Sequence, residues 1–472
     1  MSDATVVGSG PNGLACAVAL AREGVRVTVL EAEETIGGGT RTGELTAPGL
    51  LHDHCSATHP MAVASPFLRS LPLQDHGLEW RWPEVDLAHP LDDGSAGVML
   101  RSIEDTVAGL GEDGPAWRRL FESSSESFDA LNEDLLRPVL HLPKHPLRLA
   151  RFGLRAAAPA TLLSRRWDTP QAKALFGGVA AHAFSPLTRP MSSSVAMALV
   201  SACHSVGWPV AAGGSRAITD ALASLLRDHG GKIETGVRVR SLSELESAGA
   251  VVFDLAPGAV AEIAGDRLPR RVERAYRRYR HGPGAFKVDL AVEGGVPWAN
   301  EACRRAGTVH AVGSFEELVS AEREINRGQM PERPMVLVGQ QYLADPQRSS
   351  GDLHPVWAYA HVPNGYDGDG ESAVIDQIQR FAPGLRERIA ATSTRSPAGF
   401  AAYNQNYVGG DIITGANTPI QIAIRPRLAL DPYSAGVPGL FICSAATPPG
   451  AGIHGMCGFN AAKSVLRNMV QA

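Results

Sequence analysis

Three glycines and one acid near the front of the chain have the types and spacing to hold a pyrophosphate and a ribose. Gly8, Gly10 and Gly13 follow the apolar run Thr5-Val6-Val7, with Ser9, Pro11 and Asn12 between them. Gly8 allows a tight turn out of a strand. Gly10 lets the backbone approach a pyrophosphate, and Gly13 lets a helix pack close to the strand. The first N–H groups of that helix then point at the phosphates. Val25-Arg26-Val27-Thr28-Val29-Leu30 reads as a second strand and ends on Glu31. A carboxylate at that distance from the last glycine can bind both ribose hydroxyls and repels a 2′-phosphate. With Ala32 it forms the adenosine end of the candidate site. A glycine triplet alone is a weak signal, but strand, helix and acid in this order predict dinucleotide binding. An ordinary glycine-rich turn leaves Glu31 unexplained.

Ile36-Gly37-Gly38-Gly39-Thr40-Arg41-Thr42 comes soon after the acid. This second glycine turn with its arginine resembles the FAD-binding signature of the glutathione-reductase and amine-oxidase superfamily. The resemblance implies that Gly38, Gly39 and Arg41 sit over an FAD diphosphate. Enzymes that use nicotinamide alone lack this turn. FAD is therefore the expected cofactor, held non-covalently, because no His or Cys stands in a recognised flavin-linkage motif.

The C-terminal stretch adds a second half to the site. Gly439–Thr447 reads as a strand entering a small-residue turn, Pro448–Met456 as a loop, and Cys457–Val470 as a helix. A helix N-terminus favours negative charge, which reduced flavin gathers. Ser444, Gly452, Gly455 and Met456 are accordingly placed against the flavin. Taken together, these stretches resemble the phytoene-desaturase-like FAD-dependent oxidoreductases, and Thr447–Ile453 is close to that family's C-terminal signature. Ser444 and Ala446 stand where the carotenoid enzymes carry glycines, and His454 where they often carry proline, so no carotenoid substrate is assigned.

A narrower resemblance concerns Gly282-Pro283-Gly284-Ala285-Phe286-Lys287-Val288. It is similar to the strand of flavin amine oxidases that presents a lysine to flavin N5 through a water, which implies a catalytic role for Lys287. The alternative is a lysine at a sheet end facing solvent, with Phe286 and Val288 facing the core, since side chains alternate. A proton acceptor is sought among His182, His204, His310, His361 and His454, because a histidine titrates near neutral pH. His454 is preferred, its loop being the one placed beside the flavin. Trp208, Trp357 and Tyr359 are candidates for pocket wall or core.

The elements that must position these groups follow from the chain's patterning. The expected fold class is α/β. A Rossmann-type FAD-binding domain is built from the discontinuous segments 1–78, 206–282 and 406–472. An α+β substrate domain, with a mixed sheet and a helical cap, takes 79–205 and 283–405. Helix is expected across 102–135 and 171–205 and from Ile218 to His229, and Ser372–Phe381 also reads as helix. Strands are expected at Val251–Asp254, Gly284–Val292, Met335–Gln340 and Val356–His361. Resemblance to the superfamily also makes Gly236–Val239 a strand, with the Val237 backbone against the adenine.

Composition narrows the partners. With 472 residues, 44% hydrophobic and 20% charged, this is an ordinary globular chain of two or three domains. A net charge of −5 gives no basis for nucleic-acid binding. The six cysteines are scattered without a CxxC pair, against a disulfide framework or zinc site and in keeping with a reduced, cytoplasmic setting. His52 and His54 are read as part of a hairpin over the flavin, not as metal ligands, and no metal is expected. The chain opens on its first strand, so no signal peptide is expected. No run approaches the roughly 18 apolar residues of a spanning helix. Residues 136–170 interleave arginines with leucines, which reads as a helical cap or, alternatively, as a surface for peripheral membrane contact. No second GxGxxG appears mid-chain, so no tightly bound NAD(P)H is expected.

The leading reading is dehydrogenation of an apolar small molecule by hydride transfer to FAD, with O2, a quinone or a carrier taking the electrons. The alternatives are amine-oxidase-like C–N oxidation, a redox-neutral isomerisation using reduced FAD, and a lipid-binding escort protein without FAD. Intact Gly8, Gly10, Gly13, Glu31 and Arg41 argue against the last. Nothing in the sequence sets an oligomeric state.

Overall fold

A computed structural model describes residues 3–245 and 248–471. Two sheets organise it. The first holds the strands Leu440–Ile442, Ala250–Phe253, Asp3–Val7, Arg26–Leu30 and Lys232–Glu234, side by side in that order. Every neighbouring pair is parallel. A parallel sheet is buried on both faces, which is why its strands read as near-continuous apolar runs. Helices Pro11–Arg22, Arg216–Asp228 and Met456–Gln471 share a core with the strand residues Val6, Val29, Val252 and Phe441. The outer two of these helices both pack on Pro11–Arg22. A Cβ at Gly458 would lie 1.9 Å from the Asn12 carbonyl, so the N-terminal and C-terminal helices cross at backbone contact.

The second sheet is mixed and has seven strands, in the order Ile389–Arg395, Gly284–Glu293, Leu353–Val362, Val336–Gly339, Ala306–Ala311, Val85–Pro90, Ala96–Met99. Only Ala306–Ala311 and Val85–Pro90 run parallel; the other described pairs are antiparallel. One face is apolar: Val288, Leu290, Val336, Val338 and Ala360 pack with Val374 and Ile378 of the helix Gly370–Phe381. The other face lies under a group of helices that includes Gly114–Glu126, Pro146–Ala156, Pro170–Ala181 and Ser194–Val206. The α/β class is therefore observed: a parallel Rossmann-like sheet drawn from distant chain segments, and a mixed sheet with a helical cap.

Three sequence expectations need correction. The helix expected through 102–135 is several, Ile103–Gly109, Gly114–Glu126 and Phe128–Leu135, with a tight turn at Gly111–Asp113. The helix expected through 171–205 is two. They are separated by a turn in which Phe184 and Met191 take positive φ and Pro186 and Pro190 withhold backbone donors. Residues 236–239 are not a strand; the preceding strand stops at Glu234 and Gly236 turns at φ 72°. The Val237 N–H donates to the Glu31 carbonyl at 2.8 Å.

Candidate active site

At the C-terminal ends of the parallel strands lies a cleft of about 380 Å³. Its floor is the first glycine turn. Gly8 has φ 104°, and a Cβ on Gly10 would come within 2.6 Å of Asp254 Oδ2. A Cβ on Gly13 would come within 2.2 Å of the Gly8 carbonyl. No other residue type fits these three positions, so the chain reserves this space for backbone and for whatever the backbone holds. Gly8, Gly10, Pro11, Asn12, Glu31, Ala32, Gly38, Gly39, Arg41, Val237, Ser444 and Gly452 all line the cleft. Most of the cofactor residues expected from the sequence are thus brought to one place.

Glu31 is held ready by its own chain. Ser9 donates to Oε2 through its N–H at 2.9 Å and its hydroxyl at 2.5 Å, and Glu33 N–H donates to Oε1 at 3.0 Å. Arg41 differs from expectation in its partners. It donates to the Thr35 carbonyl at 2.7 and 3.0 Å and approaches Glu31 Oε1 at 3.4 Å, and its guanidinium stacks on Tyr403. It lines the cleft from the Glu31 side.

Gly13, Gly455, Met456 and His454 are not among the lining groups. Gly13 N–H donates to Asp254 Oδ2 at 3.0 Å, beneath the turn. Gly455, with φ 65°, faces Ala15 and Leu68. Met456 N–H is taken by His454 Nδ1 at 3.0 Å. His454 is therefore a brace for the start of the last helix. Burial lowers its pKa to about 4, against the pull of the Gly450 and Ala451 carbonyls. His454 is expected from the sequence as acid or base; here its Nδ1 is taken by the Met456 N–H and burial favours its neutral form. His204 is likewise structural, accepting from Trp117 Nε1 at 2.9 Å.

Two features of the cleft escape a reading of the sequence. The first is Asp254, which the pattern presents only as the end of a buried strand. It is buried under the glycine turn, and burial, with the charge of Glu31 adding to it, pushes its pKa up to about 7 although Gly13 and Gly10 N–H groups pull the other way. The second is Tyr403–Tyr407, which covers the second glycine turn. Tyr403 donates to the Gly38 carbonyl at 2.6 Å, and Asn406 bonds Ala256 N–H at 2.7 Å. Its Tyr-Asn-Gln-Asn-Tyr composition is the available signal.

Beside the cleft lies the cap-facing side of the mixed sheet. Cross-strand register puts Lys287 opposite Tyr359, Asp289 opposite Trp357, and Ala285 opposite His361. Tyr403, Tyr407 and Ile412 of the cleft pack in one cluster with Trp357 and Tyr359. Lys287 does not face solvent: it is 1% exposed and its ammonium donates to the Asp289 carboxylate. Phe286 and Val288 point the other way, into the apolar core, as strand alternation requires. Burial lowers the Lys287 pKa, opposed by Asp289. His52 Nδ1 stands 3.2 Å from Asp289 Oδ1, so the carboxylate has polar neighbours on both sides. The charge of Lys287 also acts on Cys55, which hydrogen-bonds Tyr407 of the cleft.

Comparison with known proteins agrees with this geometry. Residues 6–71 match the NAD(P)-binding Rossmann-like domain family. The chain is 24% identical to pyridine nucleotide-disulfide oxidoreductase domain-containing protein 2 of Mus musculus, over 99% of this chain and 94% of that protein. It is also 24% identical to hydroxyneurosporene desaturase of Cereibacter sphaeroides, over 98% of this chain and 97% of the desaturase. The structure of wild-type putrescine oxidase bound to putrescine superposes with a TM-score of 0.61 at 16% identity, covering 100% of this chain and 99% of the other. That last likeness is one of fold.

Asp254 supplies a test of the cleft's electrostatics. Its folded pKa is raised from the ordinary 3.8 to about 7. The stability this contributes is full below the ordinary value and is lost as pH rises through the folded one. The apoprotein's melting temperature should therefore fall between pH 5 and pH 8. In Asp254→Asn that part of the slope should vanish, with the variant the more stable of the two at pH 8. Parallel pH profiles for the two proteins would show that Asp254 is ionised throughout.

Proposed function

We propose that this chain, an oxidoreductase of the phytoene-desaturase-like flavoprotein group, binds FAD non-covalently in the cleft and dehydrogenates a small organic molecule held on the cap-facing side of the mixed sheet. The observation that carries this reading is the glycine cradle, Glu31 and the second glycine turn lining one cleft, whose tyrosines pack against that sheet face. The residues fit the cofactor. Glu31 suits the adenosine ribose, the first-turn N–H groups the pyrophosphate, and Val237 the adenine. Tyr403–Tyr407 and Ser444–Gly452 would flank the ring system. Bound FAD supplies a two-electron acceptor for a substrate hydride.

The chain's own part is to exclude water, orient the substrate and set the local charge. Phe184, Trp357 and Tyr359 supply the apolar walls. The Lys287 ammonium is desolvated, so its field is stronger than in water, and Asp289 fixes its position. The final electron acceptor is O2, a quinone or a carrier.

FAD binding is checked directly. Denaturation of the yellow protein should release a compound with the mass of FAD. Glu31→Ala removes the ribose partner and also frees Ser9 from two hydrogen bonds. Even one charge-assisted bond is worth about 1.5–3 kcal/mol, so affinity should drop at least about tenfold. A colourless wild type that refuses added FAD would end this reading.

Lys287 is tested together with its partner, because removing one member strands the other in the interior. The double substitution Lys287→Met with Asp289→Asn should keep FAD bound. Reoxidation of the photoreduced protein by O2 should slow at least about tenfold, or roughly 1.4 kcal/mol in the barrier. Asp289→Asn alone should leave reoxidation at least as fast as in the wild type. Equal rates in all three, by stopped flow, would make Lys287 a structural residue.

Peripheral membrane contact through 136–170 is a separate proposal. Phe152 and Ala156 anchor the helix Pro146–Ala156 in the cap, while Leu142 is 92% exposed and Leu147 and Leu154 also face outward. Arg148 and Arg151 are exposed beside them. No helix among the described residues is long and apolar enough to cross a membrane. Flotation with anionic but not neutral liposomes is expected, reduced in Leu142→Ser combined with Leu147→Ser; absence from both liposome fractions leaves 136–170 as cap alone.

A further inference from the structure

The cap-facing side of the mixed sheet carries buried imidazoles where the core of the opposite face is built from apolar side chains. His89, His310 and His361 are at most 1% exposed, and the buried Glu322 reaches His361 from the helix Phe315–Ile325. His361 Nδ1 and Glu322 Oε1 are 2.6 Å apart. A carboxylate only accepts, so Nδ1 carries the proton and Nε2 presents its lone pair. Among the described residues, His361 Nε2, Glu322 Oε2 and His310 Nδ1 have no hydrogen-bond partner. Buried polar atoms are nearly always paired, with protein or with water, so His361 Nε2 and Glu322 Oε2 are available to a further hydrogen-bonding partner.

His182 and Phe184 pack beside this group. His182, at the end of the helix Pro170–Ala181, stands 3.0 Å from His310, Nε2 to Nε2. It alone of the group keeps partial exposure. Burial lowers its pKa to about 3 and holds His310 well below its ordinary value, so both are neutral near pH 7. Phe184 stacks on the His361 ring at 3.8 Å in a backbone conformation of φ 51°. Strain of this kind persists only where surrounding contacts enforce it, and it gathers at functional sites. Here the contacts are Asn417 on the Ala183 carbonyl at 3.0 Å and Asn326 on the Phe184 carbonyl at 3.4 Å. Asn417 follows Thr414, which lines the cofactor cleft, and Tyr359, directly opposite Lys287, is two residues before His361 on the same face of its strand. Among the described residues no three His, Cys, Asp or Glu groups converge as metal ligands.

We propose that His361 is the catalytic base, accepting the proton that a substrate O–H or N–H gives up, with Glu322 as its positioning residue. This rests on the flavin reading above. The substrate C–H bond breaks with its hydrogen and electron pair going to the flavin as oxidant. The O–H or N–H bond breaks with its proton going to His361 Nε2, and the freed pair closes a C=O or C=N bond. The substrate is an alcohol or an amine on an apolar body, not a hydrocarbon.

Two measurements on the holoprotein test this. In the first, diethyl pyrocarbonate, a small reagent for unprotonated imidazole, is applied to the native protein and the modified histidines are mapped. His182 and His361 should be modified before unfolding, and Phe184→Ala should speed His361 at least about tenfold. A His361 that reacts only after denaturation is a sealed core group, and the proposal fails. The second is ¹⁵N spectroscopy of histidine-labelled protein. It should show the Nδ1–H tautomer at His361, lost in Glu322→Leu and kept in Glu322→Gln, whose amide oxygen also accepts. The same tautomer in Glu322→Leu would remove Glu322 from its role. With any alcohol or amine that bleaches the wild-type flavin, His361→Gln should bleach at least about a hundredfold more slowly at equal flavin content. Equal rates, or bleaching by hydrocarbons alone, would overturn the assignment. Flavin content is read separately, so loss of the cofactor reading and loss of the base are distinguished.

Discussion

At the ends of two neighbouring strands, Asp3–Val7 and Ala250–Phe253, there is no room for a side chain. Gly8 and Gly13 lie so close to the Asp254 and Gly8 carbonyls that a Cβ would press on backbone, and a Cβ at Gly10 would meet the Asp254 carboxylate. The rest follows from that crowding. The helix Pro11–Arg22 can begin immediately above the strand, its free N–H groups opening into the cleft. The C-terminal helix can lie across it at Gly458. Parallel strands recruited from residues 3–30, 232–253 and 440–442 must then converge on the same edge. A cleft at the carboxyl ends of such strands is where this class of fold binds its ligands. The crowding also places a carboxyl group, Asp254, where it is easier to keep neutral than charged.

Much of this is legible in the sequence, because it is carried by short-range rules. Apolar runs, a glycine triplet and a terminal acid each leave a local mark. Glu31 can be placed from spacing alone, since strand length and helix length fix its distance from Gly13. What is not legible is set at long range. Nothing near His454 announces that its ring is consumed by Met456 N–H and by burial. Tyr403 belongs to a segment that follows the last strand of the mixed sheet, yet it bonds Gly38 from the far end of the chain. The break within 171–205 is a local matter; Pro186 and Pro190 are visible, but an alanine-rich pattern outweighs them. The strand expected at 236–239 is undone by one glycine's φ.

Buried charge ties the two halves together. Arg348 is 1% exposed and donates to Asp53 at 2.6 Å, to Asp345 at 3.1 Å and to the Ala211 carbonyl at 2.7 Å. Asp53 in turn accepts from Ser215 N–H at 2.7 Å and from Thr42. Desolvation works against its ionised form, but Arg348 and these donors together hold its pKa below the ordinary range. A buried ion pair of this kind is weak support for stability, because apolar packing does as well. Its use is geometric. It fixes the hairpin Thr42–Asp53, which continues from the second glycine turn, against Ala211 and Ser215 before the helix Arg216–Asp228 and against Asp345 and Arg348 before the strand Leu353–Val362. Charge thereby joins the parallel-sheet and mixed-sheet layers.

Side-chain chemistry decides what the fold alone leaves open. A desaturase relative and an amine oxidase neighbour share this architecture, so the scaffold does not select between C–C and C–heteroatom oxidation. The selection must lie in the side chains on one sheet face. Substrates that offer only C–H bonds have no use for buried imidazoles; they are best met by the apolar packing that the opposite face of this sheet already achieves. Each desolvated, unpaired polar atom carries a penalty of about 1–3 kcal/mol. A group able to relieve the unpartnered atoms of His361, Glu322 and His310 must bring hydrogen-bonding groups of its own, which the Val, Leu and Ala side chains one layer away do not.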